Sequence, residues 1–448
     1  MKKRSSGLSL AVALLILAVP LASQTQRLTP NPNQVAELLG QADAAFADEN
    51  RALAEKLYRQ VLDLDPHQSR ALFRMGQLSR DDELALGWFL LYIEQEPDDA
   101  WGWLAAGDKY LKVGKTVEAQ RNYARAAKLA PKAEDVLERL ARGRLRVAPT
   151  LEPLEGYAGD SDLDRTWRSQ LRGDLALPGG YRLGLMAAHS SIGDGSADAT
   201  LDEGALRLEG RPRQSLRLDL SIGAVRLRSF EAEGWTTAQA GFRFRWRGPR
   251  GGPSLEARAQ RLPLGTTPLL VANRAMKNEA RLGMDLPAGP LRIRLGGRAA
   301  SIETFVETAN RRFQGDAAVA FPLGAGGEIS IQYHRLGFER PSGAGYFAPR
   351  LVETIESGTT WDFGGEGRVS ASLDLGIGLQ RLARSAEPTG PWKIALRGWG
   401  AINVDLSPII QLRAEAEAYS APFAPAGVAV SADWRYMAIS LGLLVRLR

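Results

Sequence analysis

Glu415 and Glu417 stand two residues apart in "IQLRAEAEAYS" and therefore share one face of an extended chain. Paired carboxylates are what a glycosidase uses as acid and base or nucleophile. Here Arg413 falls on the same parity, and a row of charges along a wet surface is the preferred reading for all three. Histidine is scarce: His67 follows a proline, His189 closes one alternating segment and His334 lies inside another. None has a second ligand at metal spacing. Without cysteine there is no thiol nucleophile, no thiolate metal site and no disulfide. No G-x-S-x-G occurs, and "LGIGLQ" lacks the glycines and helix of a dinucleotide loop. The residues predict no enzyme, no metal and no cofactor.

The abundant chemistry is electrostatic. In "GFRFRWRG" (241–248), Phe242, Phe244 and Trp246 occupy one parity and Arg243, Arg245 and Arg247 the other. A strand sends alternate side chains to opposite faces, so one face becomes aromatic and the other cationic. Arg217, Arg292, Arg294, Arg397 and Arg413 repeat that placement in other segments, with Asp219, Asp374, Glu415 and Glu417 as counter-charges. If the apolar parity meets lipid, these groups line a watery lumen. A guanidinium takes carboxylate or phosphate bidentately, and rings of like charge select permeants. The eight arginines with Glu415 and Glu417 are thus candidates for permeant binding. The alternative is that the arginines pair with lumen carboxylates and simply brace the barrel wall.

The elements that must position them fill the C-terminal two-thirds. From 165 to 448, alternating segments of about ten residues recur roughly every twenty, as in "WRSQLRGDLAL", "SLRLDLSIG", "LRIRLGG", "VSASLDLGIGLQ" and the terminal "ISLGLLVRLR". Turns such as "LPAGPL" and "PLGAGGE" alternate with longer connections such as 191–201 and 337–348. Strands near ten residues span a bilayer when tilted, and only a closed barrel satisfies its backbone there. The prediction is an antiparallel transmembrane β-barrel of 14–16 strands over 165–448. A secreted β-sandwich or lectin-like domain is the alternative, since sandwiches also alternate.

The preceding region has another period. Residues 34–143 are rich in Ala, Leu, Glu and Arg, and "DLDP", "EQEP" and "KLAP" end at Pro66, Pro97 and Pro131. Those prolines are 31 and 34 residues apart, close to the tetratricopeptide period. In the third unit Trp103, Leu104, Gly107 and Tyr110 mark a first helix and Ala119, Tyr123, Ala126 and Pro131 a second. The fold predicted is an α-solenoid of about three repeats with a capping helix at 132–143. Solenoids bind partners in a concave groove lined by first helices. Arg70, Phe73, Trp101, Leu104 and Asp108 fall at groove-facing positions, with core packing as the competing role. Residues 144–164 read as a linker.

Lys2, Lys3 and Arg4 followed by an apolar run to Val19 and a small-residue zone predict a signal peptide over 1–23. The chain then leaves the cytoplasm for the outer membrane, with its repeats in the periplasm. A formal net charge of +6 is a mild excess in 448 residues and argues for no nucleic-acid partner.

Signal peptide, tetratricopeptide repeats and a C-terminal barrel together resemble the outer-membrane exopolysaccharide exporters, the cellulose-synthase operon protein C and poly-N-acetylglucosamine porin group. "GAGYFAPRLVETIESGTTWDF" (343–363), through Tyr346, Phe347 and Pro349, is similar to a Tyr-Phe-x-Pro segment of the cellulose exporters. The resemblance implies a porin that exports a glycan polymer, with periplasmic repeats recruiting a protein partner. Two departures stand out: those exporters carry many more repeats, and their barrels commonly end in an aromatic residue where this sequence ends Leu447-Arg448. The phage-adsorption outer-membrane proteins are similar too, and imply a surface receptor or assembly factor with a plugged barrel.

Overall fold

The computed structural model describes residues 32–447 apart from 230–231, 250, 325, 366, 385–386 and 421–434. The expected signal peptide lies outside the described residues. The chain forms two compact units, Met1–Leu78 and Ser79–Arg448.

The first unit contains α1 (Pro32–Ala47), α2 (Arg51–Leu64) and α3 (Ser69–Leu78). The second begins with α4 (Asp82–Gln95), α5 (Ala100–Lys112), α6 (Thr116–Leu129) and α7 (Glu134–Val147). Asn50, Asp81 and Asp99 cap α2, α4 and α5 by accepting from a backbone N–H of the first turn. The repeat grammar is visible in packing. A Cβ on Gly107 would lie 2.5 Å from the Tyr123 ring, so α5 and α6 can close only over glycine. The Tyr123 hydroxyl donates to Asp108 at 2.8 Å, and in the first repeat Tyr58 donates to Asp43, also fifteen residues earlier, at 2.6 Å. The same brace thus recurs at the same spacing. α7 occupies the place of the predicted capping helix.

The barrel follows. Its strands are β1 (Thr150–Asp160), β2 (Arg165–Leu177), β3 (Tyr181–Gly193), β4 (Asp198–Arg213), β5 (Leu216–Ser229) and β6 (Ala232–Arg247). Next come β7 (Ser254–Pro263), β8 (Met276–Ala288), β9 (Leu291–Glu303), β10 (Asn310–Leu323) and β11 (Gly327–Phe338). The last are β12 (Leu351–Phe363), β13 (Val369–Ala383), β14 (Lys393–Ser407), β15 (Ile410–Tyr419) and β16 (Tyr436–Arg446). Among the described residues these sixteen strands form one closed sheet, each antiparallel to its neighbours in sequence, with β1 closing on β16. The upper strand estimate is therefore met.

One boundary differs from the sequence reading. Residues 144–147 finish α7 and Thr150–Asp160 is the first strand, so the segment read as a linker holds the strand that closes the barrel. In "TLEPLEGYAGD" the residues sharing a face with Leu151 are Pro153, Glu155 and Tyr157, which hides the alternation. The stretch 191–201 is also mostly strand, its turn being only 194–197.

The outward face is apolar along mid-strand: Ile331 is 64% exposed and Ile222 62%, with Leu185, Ile377 and Leu441 similarly bare. A water-facing sheet would not repeat such residues all around a closed circumference; hydrocarbon accommodates them. Among the described residues no helix is long and apolar enough to cross a membrane.

The two rims differ. The rim holding Thr150 and Arg446 carries tight turns, including 178–180, 214–215, 289–290 and 408–409. α6 and α4 dock there: Glu118 of α6 accepts from the Gly179 N–H at 2.6 Å, and Glu83 of α4 from that of Gln214 at 3.2 Å. Gly179 and Gly180 have φ of 77° and 80°, and a Cβ on Gly180 would stand 3.0 Å from the Arg211 carbonyl. The Pro-Gly-Gly turn is thus shaped for docking as well as for reversal. The opposite rim carries the longer connections, among them 264–275 and 339–350.

Candidate functional site

The inward parity of the barrel is ionic, and its arginines meet carboxylates. Arg397 donates to Glu356 at 2.8 Å and Asp374 at 2.7 Å. Arg294 is held by Glu328 at 2.6 Å and Asp285 at 3.3 Å, and Arg292 by Asp285 at 2.8 Å. Arg413 reaches Glu152 at 2.8 Å across the β15–β16–β1 seam. Arg217 pairs with Glu209. Arg243 and Arg245 hold Glu256 more loosely, at 3.8 and 3.7 Å, and Arg245 also lies 3.8 Å from Asp219. Arg247 is exposed and has no ion pair among the described residues. Seven of the eight arginines singled out from sequence thus touch an acid, a bracing arrangement that leaves each guanidinium partly committed. Glu415 accepts from the Trp399 indole at 2.6 Å and Glu417 from the Tyr419 hydroxyl at 3.0 Å, so each carboxylate is held by an aromatic donor.

Register creates a feature that the linear pattern did not reveal. Arg243 on β6 lies opposite Arg258 on β7, Arg258 opposite Arg281 on β8, and Arg281 opposite Arg298 on β9. Four guanidiniums therefore form one row across four strands on the inward face, with Asp219 at one end and Gln314 at the other. Directly opposed side chains have Cβ atoms about 5 Å apart, and like charges there are destabilising. Arg258, Arg281 and Arg298 make no ion pair among the described residues, and Arg298 Nε is buried without an acceptor. "SLEARAQRLP" and "KNEARLGMD" put these arginines on the polar parity, but only the pairing places them side by side.

Above the row the mouth is narrowed from within. The connection 264–275 contains a short helix, α8 (Pro268–Ala272), whose Leu270 and Val271 are buried. Val271 packs on Ile192, Leu201, Val225 and Leu227, which point inward from β3, β4 and β5. Leu270 packs with Leu264, Ile302, Phe338 and Tyr346. Asn273 donates to the Ala344 carbonyl at 2.8 Å, tying α8 to the 339–350 connection. Tyr346 of the Tyr-Phe-x-Pro segment thus serves this inward-folded cluster, and burial raises its phenol pKa above the ordinary value.

The outward rim on this side is charged. His189 and Arg228 both contact Asp202, Arg261 contacts Glu303 at 3.2 Å, and Arg335 and Arg381 flank Glu353. His334 faces the lumen and meets Asp316 at 2.7 Å, while His67 is on the connection after α2. Among the described residues no three His, Cys, Asp or Glu side chains converge as a metal site.

The repeat residues separate into two sets. Leu104 is buried with Ala119, Tyr123 and Val136, which fixes it in the core of the repeat instead of an open groove. Asp108 is taken up by Tyr123 and by Arg139 at 3.1 Å, again a packing role. Arg70 donates to Asp43 at 2.9 Å yet keeps most of its side chain in solvent. Phe73 is half-buried, and Trp101 is 48% exposed.

Fold and lining together define a membrane-spanning β-barrel with an ionic interior, joined at one rim to helical repeats. No protein-family model matches the sequence, and no curated protein matches it. Among solved structures it is similar to a bacterial polysaccharide outer membrane secretin at 12% identity, covering 67% of this chain and 99% of that one with a TM-score of 0.48. CdiB from Acinetobacter baumannii is similar at 10% identity, over 66% of this chain and 60% of that one, with a TM-score of 0.39. The first tetratricopeptide-repeat domain of Spaghetti (RPAP3), bound to an HSP90 peptide, is similar at 15% identity over 27% of this chain and 97% of that one, with a TM-score of 0.26.

Proposed function

We propose that this protein is an outer-membrane channel that exports a glycan polymer, its helical repeats recruiting a protein partner in the periplasm. The observation that carries the reading is the closed sixteen-strand barrel with a charged inward face and helices docked on its tight-turn rim. Such a rim faces the periplasm in barrels of this kind, and the rim with longer connections faces outward. The outward-facing Arg–acid pairs on that second rim suit headgroups, while mid-strand suits acyl chains. A lumen lined by guanidinium and carboxylate groups offers hydrogen bonds to hydroxyl-rich chains without a dry surface to arrest them. No bond is made or broken by the chain; synthesis upstream drives the polymer through.

The inward fold of α8 favours a second reading, a surface receptor whose mouth is closed and whose connection 339–350 binds phage or matrix. Deleting the gene separates the two. Loss of surface polysaccharide with its retention inside the cell supports export; unchanged secretion with lost phage adsorption selects the receptor and removes the export reading.

A further inference from the structure

We propose that the in-register row Arg243, Arg258, Arg281 and Arg298 is a binding track for the carboxylates of an acidic glycan inside the barrel. This rests on the export reading and specifies the charge of the cargo.

The physical case begins with cost. Four cations set opposite one another on adjacent strands repel, and a wall needing only mechanical strength would alternate the signs. Like charges also face each other at Arg217–Arg245 and Glu209–Asp219, but there each arginine has an acid within ion-pair distance: Arg217 meets Glu209 and Arg245 lies 3.8 Å from Asp219, just as Arg168 meets Glu203 at 2.5 Å and Arg207 meets Asp219 at 2.8 Å. Around the row the available acids are already engaged. Glu279, one step toward the α8 rim, is held by Arg312 at 2.7 Å and Lys277 at 3.6 Å. Glu256, one step toward the tight-turn rim, lies between Arg243 and Arg245. No carboxylate among the described residues lies within ion-pair distance of Arg258, Arg281 or Arg298; Glu256 and Glu279 act on Arg258, and Asp316 on Arg298, only from farther off.

Geometry indicates what would. Three strand spacings give the row a span of about 14 Å, longer than one small anion and suited to successive charges on a polymer. Each guanidinium presents a planar fork that accepts a carboxylate through two parallel hydrogen bonds. Gly283 and Gly296 lie in register beside the row on β8 and β9; the Asp316 side chain covers Gly296, so the flank toward the tight-turn rim is open at Gly283. A chain entering from that side meets the row before it meets α8. Local repulsion retained where a ligand compensates it is the usual balance between stability and function at a binding site.

The test uses the full chain in detergent micelles, titrated calorimetrically with hexagalacturonate, with maltohexaose as the neutral probe and tripolyphosphate as a non-glycan anion. Hexagalacturonate should bind and maltohexaose should not. Arg258→Gln/Arg281→Gln should weaken hexagalacturonate at least about tenfold, since each lost charged hydrogen bond is a large fraction of the contact. The same variant should also unfold at higher denaturant concentration, because repulsion is relieved. A merely structural row would do the reverse, so earlier unfolding overturns the proposal. Absence of hexagalacturonate binding, unchanged affinity in the variant, or stronger binding of tripolyphosphate than of hexagalacturonate overturns it too. Arginine-dependent binding with normal polysaccharide secretion in the deletion strain would leave the track standing and remove the export reading instead.

Discussion

Arg397→Met tests how far the lumen arginines serve as wall braces. The guanidinium donates to Glu356 through Nη2 at 2.8 Å and Nε at 3.2 Å, and to Asp374 through Nη1 at 2.7 Å. Glu356 is 1% exposed, and its carboxylate covers Gly376, where a Cβ would stand 2.4 Å from the carboxyl carbon. It has no room to swing toward water. Removing the arginine strands that carboxylate, and breaking one side of a buried pair costs about 3–5 kcal/mol. Asp374 is better solvated and adds little. Unfolding by guanidinium in micelles, followed by tryptophan fluorescence, should therefore show a clear drop in midpoint at unchanged slope. Glu356→Gln/Arg397→Met should recover most of the loss, because the neutral amide no longer needs a counter-ion. If the single variant costs less than about 1 kcal/mol, or the double is no better than the single, Arg397 is not a brace and its role lies with the permeant.

Other consequences are separately measurable. Burial and the charges of Asp160, Asp194 and Asp162 raise the Asp164 carboxyl in the β1–β2 turn to about 7 from 3.8. Its folded form favours the proton, so its stabilisation is complete below about pH 4 and lost as pH rises through about 7. Protection of the amides of residues 160–164, taken relative to their intrinsic exchange rates, should fall between pH 5 and 8, and Asp164→Asn should flatten that dependence. Leu270→Asp places a charge at a fully buried site of α8, which should release the helix and raise single-channel conductance; unchanged conductance would show that α8 does not narrow the path. Gly180→Ala puts a side chain at φ 80° against the Arg211 carbonyl, costing about 1–2 kcal/mol in backbone conformation alone, and protease cleavage between helices and barrel should quicken. Trp101→Ala should leave the thermal midpoint near wild type while weakening capture of a periplasmic partner; a midpoint far below wild type would place the ring in the core.

Much of the architecture is legible in one dimension because two periods do not mix. Phe242, Phe244 and Trp246 against Arg243, Arg245 and Arg247 can be sorted only by a strand, and the sorted faces need lipid on one side and water on the other. Gly107 and Tyr123, placed by the repeat spacing, announce a close helix crossing before any coordinate is known. β1 escapes because Pro153, Glu155 and Tyr157 share the face of Leu151, so its pairing with β16 is what makes it a strand. Leu104 and Asp108 occupy groove positions by alignment but are claimed by Tyr123, Val136 and Arg139 once α7 packs down.

Local sequence decides which face each side chain takes, since parity is a property of the backbone alone. It leaves open who stands beside whom. Arg243, Arg258, Arg281 and Arg298 come from four segments, and a slip of two residues between any neighbouring pair would keep all four inward yet dissolve the row. Strand register, set by turn lengths and by closure of the sheet on itself, is what turns separate lumen charges into a track.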